Sequence, residues 1–141
     1  MECKCLDSDI LIDFLRGKEK AVKYIESIRE SSRIVTTVIN VFELYYGAFK
    51  HSKGVEGLDE FLQSVEILPL TVSEAKKEKR KAEEEAKKAA EIEVDLEGRG
   101  EVIGLKDVLI SSIAVNNDCT IVTGNVKHFE RIQGVKVENW K

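Results

Sequence analysis

The residues equipped to do chemistry here are acidic, and they stand in apolar company. In "LDSDILIDFL", Asp7, Asp9 and Asp13 sit among Leu6, Ile10, Leu11, Ile12, Phe14 and Leu15. Burying a carboxylate is costly unless a partner offsets the loss of water. Glu43 poses the same problem in "VINVFELYYGAF". The positions three and four away from it are Ile39, Asn40, Tyr46 and Gly47, and none is a cation. Asp107 opens "DVLISSIAV". Each acid alone has an ordinary account. Glu43 reads equally well as a helix-edge residue in water, and Asp107 as a helix cap that meets the backbone dipole. Together they suggest more. Carboxylates meeting in one cleft repel and raise one another's pKa. A hard dication relieves that conflict, and Mg²⁺ takes carboxylate and water oxygens. Without a His or Cys set beside the acids, Mg²⁺ or Mn²⁺ is favoured over Zn²⁺. Such an ion activates water and braces the charge on a phosphodiester.

The elements that must bring these acids together alternate between strand and helix. Lys4–Leu6 reads as a strand ended by Asp7-Ser8-Asp9. Helical spacing follows at Ile10, Leu11, Phe14 and Leu15, and Gly17 stops it. A second helix carries Val22, Ile25 and Ile28. "RIVTT" is a strand, and a helix runs from Val38 to Phe49. At least two of its aromatics, Phe42, Tyr45, Tyr46 and Phe49, are expected in the core. Leu58, Phe61 and Leu62 mark a short helix, and "VEILPL" a strand that Pro69 places at an edge. Ser73–Glu93 reads as a solvated helix laced with Lys–Glu spacings such as Lys79–Glu83 and Glu84–Lys88. After a loop come the Asp107 helix, the strand "TIVT", a short helix at His128–Ile132 and a last strand at Val135–Val137. This order predicts an α/β domain with a mostly parallel sheet. In such sheets ligands bind beyond the carboxyl ends of the strands. Asp7 follows the first strand and Asn125 the fourth, so the two face one cleft if those strands are neighbours.

Length and composition set the outer bounds. A chain of 141 residues, 43% of them hydrophobic, suits one domain over 1–141 with one filled core. No apolar run approaches the ~20 residues of a membrane span. No signal-peptide pattern opens the chain, so a soluble cytoplasmic protein with no membrane partner is expected. A net charge of −4 does not advertise nucleic-acid binding, yet 22 Lys and Arg can still cluster locally. Cys3, Cys5 and Cys119 are odd in number and lack zinc-like spacing. They read as small core residues, and no disulfide framework is expected.

"LDSDILIDFLRG", "TTVINVFELYYGA" and "GLKDVLISSIAVNNDCTIVTGNVKHFERIQGVKVENW" resemble PIN-domain proteins, most of all the VapC-type toxins of prokaryotic toxin–antitoxin pairs. The likeness covers both ends of the chain and the Glu43 helix. Between Leu58 and Glu97 it holds only in general character. The resemblance implies a three-layer α/β/α PIN-like fold with a mostly parallel central sheet of about five strands. It further implies a Mg²⁺- or Mn²⁺-dependent ribonuclease, a homodimer and a VapB-like antitoxin partner. The family's acids fall on Asp7, Glu43 and Asp107 as metal ligands. Its fourth catalytic position falls on Asn125, which brings a carbonyl oxygen but no charge and puts a second metal in question. Asp9 stands where many members carry Asn or Ser.

The expected mechanism is hydrolysis of RNA, with Asp9 lining the pocket or capping the next helix. Ser8 and Thr123 offer hydroxyls to orient water or phosphate. Arg16 and Lys106 are the first candidates to grip the RNA backbone, Arg16 through a bidentate guanidinium. Lys127 reads as an ordinary surface cation, and His128 as a general acid or a structural residue. Two rivals remain. A PIN-fold RNA- or protein-binding module with a weakened site is kept open by Asn125. An aspartate-nucleophile phosphatase is suggested by the D-x-D of Asp7 and Asp9. It lacks the usual Thr or Val at Ile10 and a late acidic pair, and it leaves Glu43 unexplained.

Overall fold

A computed structural model describes residues 1–70, 87, 89–92, 94–100 and 104–141. The described elements are β1 (Glu2–Leu6), α1 (Ser8–Leu15), α2 (Glu19–Ile28), β2 (Ser32–Thr37), α3 (Val38–Lys50), α4 (Glu56–Leu62) and β3 (Glu66–Leu68). They continue with α5 (Leu105–Asn116), β4 (Cys119–Val122), α6 (Val126–Glu130) and β5 (Lys136–Glu138). Helical residues at 89–92 and 94–98 precede α5. The expected Ser73–Glu93 helix falls largely outside the described residues, as do its Lys–Glu pairs.

Local chemistry sets the boundaries that matter for the acids. The strand-to-helix switch after β1 occurs at Asp7, which is extended and accepts the Ser8 amide at the start of α1. Thr37 does the same for α3, accepting the Asn40 amide through its hydroxyl. Gly17, with φ +71°, supplies the left-handed residue that ends α1.

All four strand pairings are parallel, in the order β3-β2-β1-β4-β5. β1 is therefore central and β3 lies at an edge, stopping before Pro69. Alternation along the strands feeds two cores. Cys3, Cys5, Val35, Cys119 and Ile121 face α5, the helical residues Ile92 and Leu96, and Phe129. Leu6, Ile34 and Val122 face α1, α2, α3 and α4 through Ile10, Ala21, Leu44 and Leu62. Burial on both sheet faces makes the α/β/α sandwich that the strand–helix alternation predicts. No helix among the described residues is long and apolar enough to cross a membrane.

Two expectations are corrected. Cys3 and Cys119 form a disulfide, with their Cα atoms 4.6 Å apart. They are register partners on adjacent parallel strands and point to the same face. Counting cysteines cannot show this, because it depends on which strands become neighbours across 116 residues of chain. Cys5 does behave as a core residue. Burial, with the Asp7 charge beyond it, pushes its thiol up to about 12, so it stays protonated. On α3, Phe42, Tyr46 and Phe49 are exposed and only Tyr45 is partly buried. The helix turns Leu44 and Asn40 inward instead.

A thiol count in denaturant is expected to find one free cysteine per chain without reductant, and three after reduction. Replacing both Cys3 and Cys119 by Ala is expected to lower unfolding free energy by about 2–5 kcal/mol. Three free thiols in the unreduced chain would contradict the cross-link.

Candidate active site

The carboxyl end of β1 carries a network centred on Asp7. Its Oδ1 accepts the Ser8 amide at 2.9 Å and the Asn40 Nδ2–H at 2.9 Å. Its Oδ2 accepts the Thr123 hydroxyl at 2.7 Å. A carboxylate oxygen accepts two bonds. Among the described residues, one acceptor site on Oδ2 therefore remains for a ligand. The backbone supports this placement. The Asp7 amide donates to Val122 O at 2.9 Å, extending the β1–β4 ladder one step past the strands.

Asn40 joins the first acid to the second. It is fully buried in the first turn of α3. Its second Nδ2–H donates to Ser8 Oγ at 2.9 Å, and its Oδ1 accepts the Thr37 hydroxyl at 2.8 Å. The Ser8 hydroxyl donates onward to Glu43 Oε1 at 3.1 Å. In the sequence Asn40 shows only as a polar residue one turn before Glu43 on an apolar helix. The Ser8 and Thr123 hydroxyls each donate to an acid and accept from an amide, Asn40 Nδ2–H for Ser8 and the Asn125 N–H for Thr123, so both position carboxylates.

The electrostatics follow from this crowding. Burial raises the Asp7 pKa above the ordinary 3.8, bonds from Thr123 and Ser8 pull it back, and the charges of Asp9 and Asp107 push it up. Burial likewise raises Glu43 above 4.5, with Asp7 and Asp107 adding to the rise; the Ser8 bond and Lys106 oppose it. Asp107 thus belongs to the same field as Asp7 and Glu43. It does not cap its helix. α5 begins at Leu105 behind Gly104, and the Asp107 side chain meets His128 Nδ1 at 3.0 Å.

The remaining candidates divide. Asp9 accepts the Gly124 amide at 2.6 Å and Trp140 Nε1 at 3.4 Å, so it ties the turn after β4 to the C-terminal segment. A Cβ at Gly124 would lie 2.6 Å from Lys141 Cε and 2.7 Å from Asp9 Oδ2, so a side chain there would have to displace both. With these bonds Asp9 is unavailable as the acid of a D-x-D phosphatase, and that rival loses its second residue. Asn125 contributes its backbone, donating to Thr123 Oγ1 at 3.0 Å, while its side chain is exposed. Arg16 lines a groove of about 440 Å³ that Glu43 also borders. Lys106 Nζ lies over the Phe42 and Tyr46 rings, 5.5 and 5.7 Å from their centroids. Lys127 is exposed.

Among the described residues, no three Asp, Glu, His or Cys side chains close a cage around one ion. That excludes a tight all-protein site of the zinc type there. It leaves three acids within one another's electrostatic reach, two of them with raised pKa values. Mg²⁺ usually keeps several waters and takes one or two carboxylates directly, and this donor set fits such an ion.

The PIN domain family model matches residues 4–135. A ribonuclease VapC2 of Rickettsia felis is 32% identical over 122 residues, covering 82% of this chain and 81% of that protein. A tRNA(fMet)-specific endonuclease VapC of Salmonella typhimurium is 25% identical, covering 96% of each. The crystal structure of VapBC2 from Rickettsia felis, bound to a DNA fragment from their promoter, aligns with a TM-score of 0.83 at 27% identity. That alignment covers 99% of both chains.

The raised acids set a pH dependence. Between their ordinary and raised pKa values, Asp7 and Glu43 hold more protons folded than unfolded. Stability of the metal-free chain is therefore expected to fall as pH rises through that window and to stay reduced above it. Asp7→Asn removes part of the fall, so its unfolding midpoint in EDTA at pH 7 should lie above wild type. Denaturant melts from pH 4 to 8 check this, and a lower Asp7→Asn midpoint at pH 7 would contradict it.

Proposed function

The chain belongs to the PIN-domain family, and on that basis we propose that it is a metal-dependent endoribonuclease of the VapC toxin type. The observation that carries this reading is the convergence of Asp7, Glu43 and Asp107. They come from three separate parts of the chain and share one electrostatic field. Asp7 and Glu43 are held by buried Asn40 and by Ser8. A fold gains nothing in stability by assembling carboxylates this way, whereas a cation site needs it.

The residues that would hold Mg²⁺ or Mn²⁺ are Asp7, through the remaining acceptor site on its Oδ2, and Glu43 and Asp107, through Oε2 and Oδ1, which have no hydrogen bond among the described residues. Asn125 stands at the rim as a neutral fourth donor. When bound, the ion supplies water activation and charge compensation at the phosphodiester. The protein's own share is positioning. Thr123, Asn40 and the Ser8 amide fix Asp7, and Ser8 fixes Glu43. Water is the nucleophile on phosphorus, and the bond to the leaving ribose oxygen breaks. Arg16, in the groove that Glu43 borders, and Lys106, whose charge acts on Glu43, suit the RNA phosphates, which the acids alone would repel. Lys106, resting on exposed aromatic rings, has no ion pair among the described residues to break in moving to a phosphate.

The partners follow from the same reading: RNA as substrate, a VapB-like antitoxin that restrains the nuclease, and a second copy of the chain. The exposed Phe42, Tyr46 and Phe49 give the homodimer an apolar surface. The antitoxin and the dimer rest on relatedness, and the acid site is what this chain adds.

Purified, antitoxin-free protein is expected to cleave RNA with Mg²⁺ or Mn²⁺ and to stop in EDTA. Asp7→Ala and Asp107→Ala should each lower the rate by more than the ~10–100-fold that loss of an outer-shell partner costs. Asp107→Ala loses a repulsive charge and a single bond and should keep its stability, whereas Asp7→Ala also strands the donors of Ser8, Asn40 and Thr123, so its unfolding midpoint should fall while the fold is kept. Cleavage that survives both EDTA and Asp7→Ala would refute the acid mechanism. No cleavage of any RNA by the wild type would favour the binding-module alternative.

A further inference from the structure

Resting on the metal-site reading above, we propose that His128 is the positioning residue that sets the Asp107 carboxylate. The three acids are held unequally. Asp7 accepts three hydrogen bonds, from Ser8, Asn40 and Thr123. Glu43 accepts one from a serine hydroxyl that Asn40 itself orients. Asp107 has a single side-chain partner among the described residues, His128 Nδ1 at 3.0 Å. Its helix gives it none, since Gly104 precedes α5 with φ +90° and makes no side-chain capping bond. Asp107 is 23% exposed, so without His128 its side chain would be free to turn toward water.

The bond has a defined sense. An ionised carboxylate only accepts, so Nδ1 carries the hydrogen. Asp107 Oδ2 is thereby taken, and Oδ1 is left for the cleft. The His128 side chain is 42% exposed, and it is the backbone carrying it that is anchored. Phe129, beside it, is fully buried in the core, and the His128 amide donates to Asn125 O at 3.1 Å. His128 therefore links the start of α5 to the turn after β4. One short helix fixes both the third acid and the Asn125 position, which are otherwise separate in the fold.

The test compares wild type, His128→Ala and His128→Asn by Mn²⁺ titration, with EPR of the free ion as readout. RNA cleavage and unfolding midpoints are measured on the same samples. The Asn amide places an N–H where Nδ1–H was. His128→Ala should weaken Mn²⁺ binding about tenfold, the scale set by outer-shell partners of metal ligands. His128→Asn should recover most of that loss, at unchanged midpoints. Equal Mn²⁺ affinity in wild type and His128→Ala would overturn the role of His128 alone. Absence of Mn²⁺ binding in the wild type would overturn the metal reading and this role with it. If His128→Ala fails to fold, His128→Gln replaces it. Its amide sits one bond further out, so it should bind Mn²⁺ more weakly than His128→Asn, and equal binding would overturn the proposal.

Discussion

Asp7 is a carboxylate at the end of the central strand, drawn into the protein where its charge is disfavoured. Three donors answer it, one from its own helix start, one from α3 and one from the end of β4. Hydrogen bonds to a charged group contribute about 1.5–3 kcal/mol each, and leaving one unmade is costly. The three donors are available together only if β1 lies between β2 and β4. The order β3-β2-β1-β4-β5 supplies that arrangement, since α3 starts at the end of β2 and Thr123 directly follows β4. Even so the Asp7 pKa stays raised. The fold holds a charge it does not fully compensate, and the account of function grows from that deficit.

The flanking structure serves the same end. Asp9 has a very different part from Asp7 although only Ser8 separates them. It binds the Gly124 amide and Trp140, and so pulls the turn after β4 and the C-terminal segment onto the start of α1. Trp140 is buried against the core that contains Leu6, Ile10 and Val122. Thr123 and Asn125 flank Gly124, so the last residues of the chain steady the turn that holds Asp7. Lys4, nearly buried on β1, reaches Glu138 on β5 at 2.6 Å and ties the same strands together from below.

Much of this was legible in the sequence, for physical reasons. Helix and strand periodicities are local, so the alternation of elements, the edge position of the Pro69 strand and the acids at strand ends could be read directly. The acids were conspicuous because they stand in apolar sequence, Glu43 with no cation three or four residues away, and family resemblance gave them their order. What escaped depended on neighbours distant in sequence. The Cys3–Cys119 bond required β1 and β4 to be adjacent. The Asp107–His128 contact joined residues 21 apart through two helix starts. Asn40 was hidden for another reason. It carries no charge and looks like an ordinary cap-proximal residue until Asp7 and Ser8 arrive from another strand. Ser8 and Thr123 carry hydroxyls visible in the sequence, but that these hydroxyls serve the carboxylates depends on strand neighbours.

The central claim is that Asp7, Glu43 and Asp107 are assembled to receive one hydrated dication. Anomalous scattering from a crystal soaked in Mn²⁺ tests it most directly. The account requires a peak in the cleft bounded by these three carboxylates, with water completing its coordination. A peak at some other group of residues, or an occupied lattice in which this cleft holds no Mn²⁺, would contradict it.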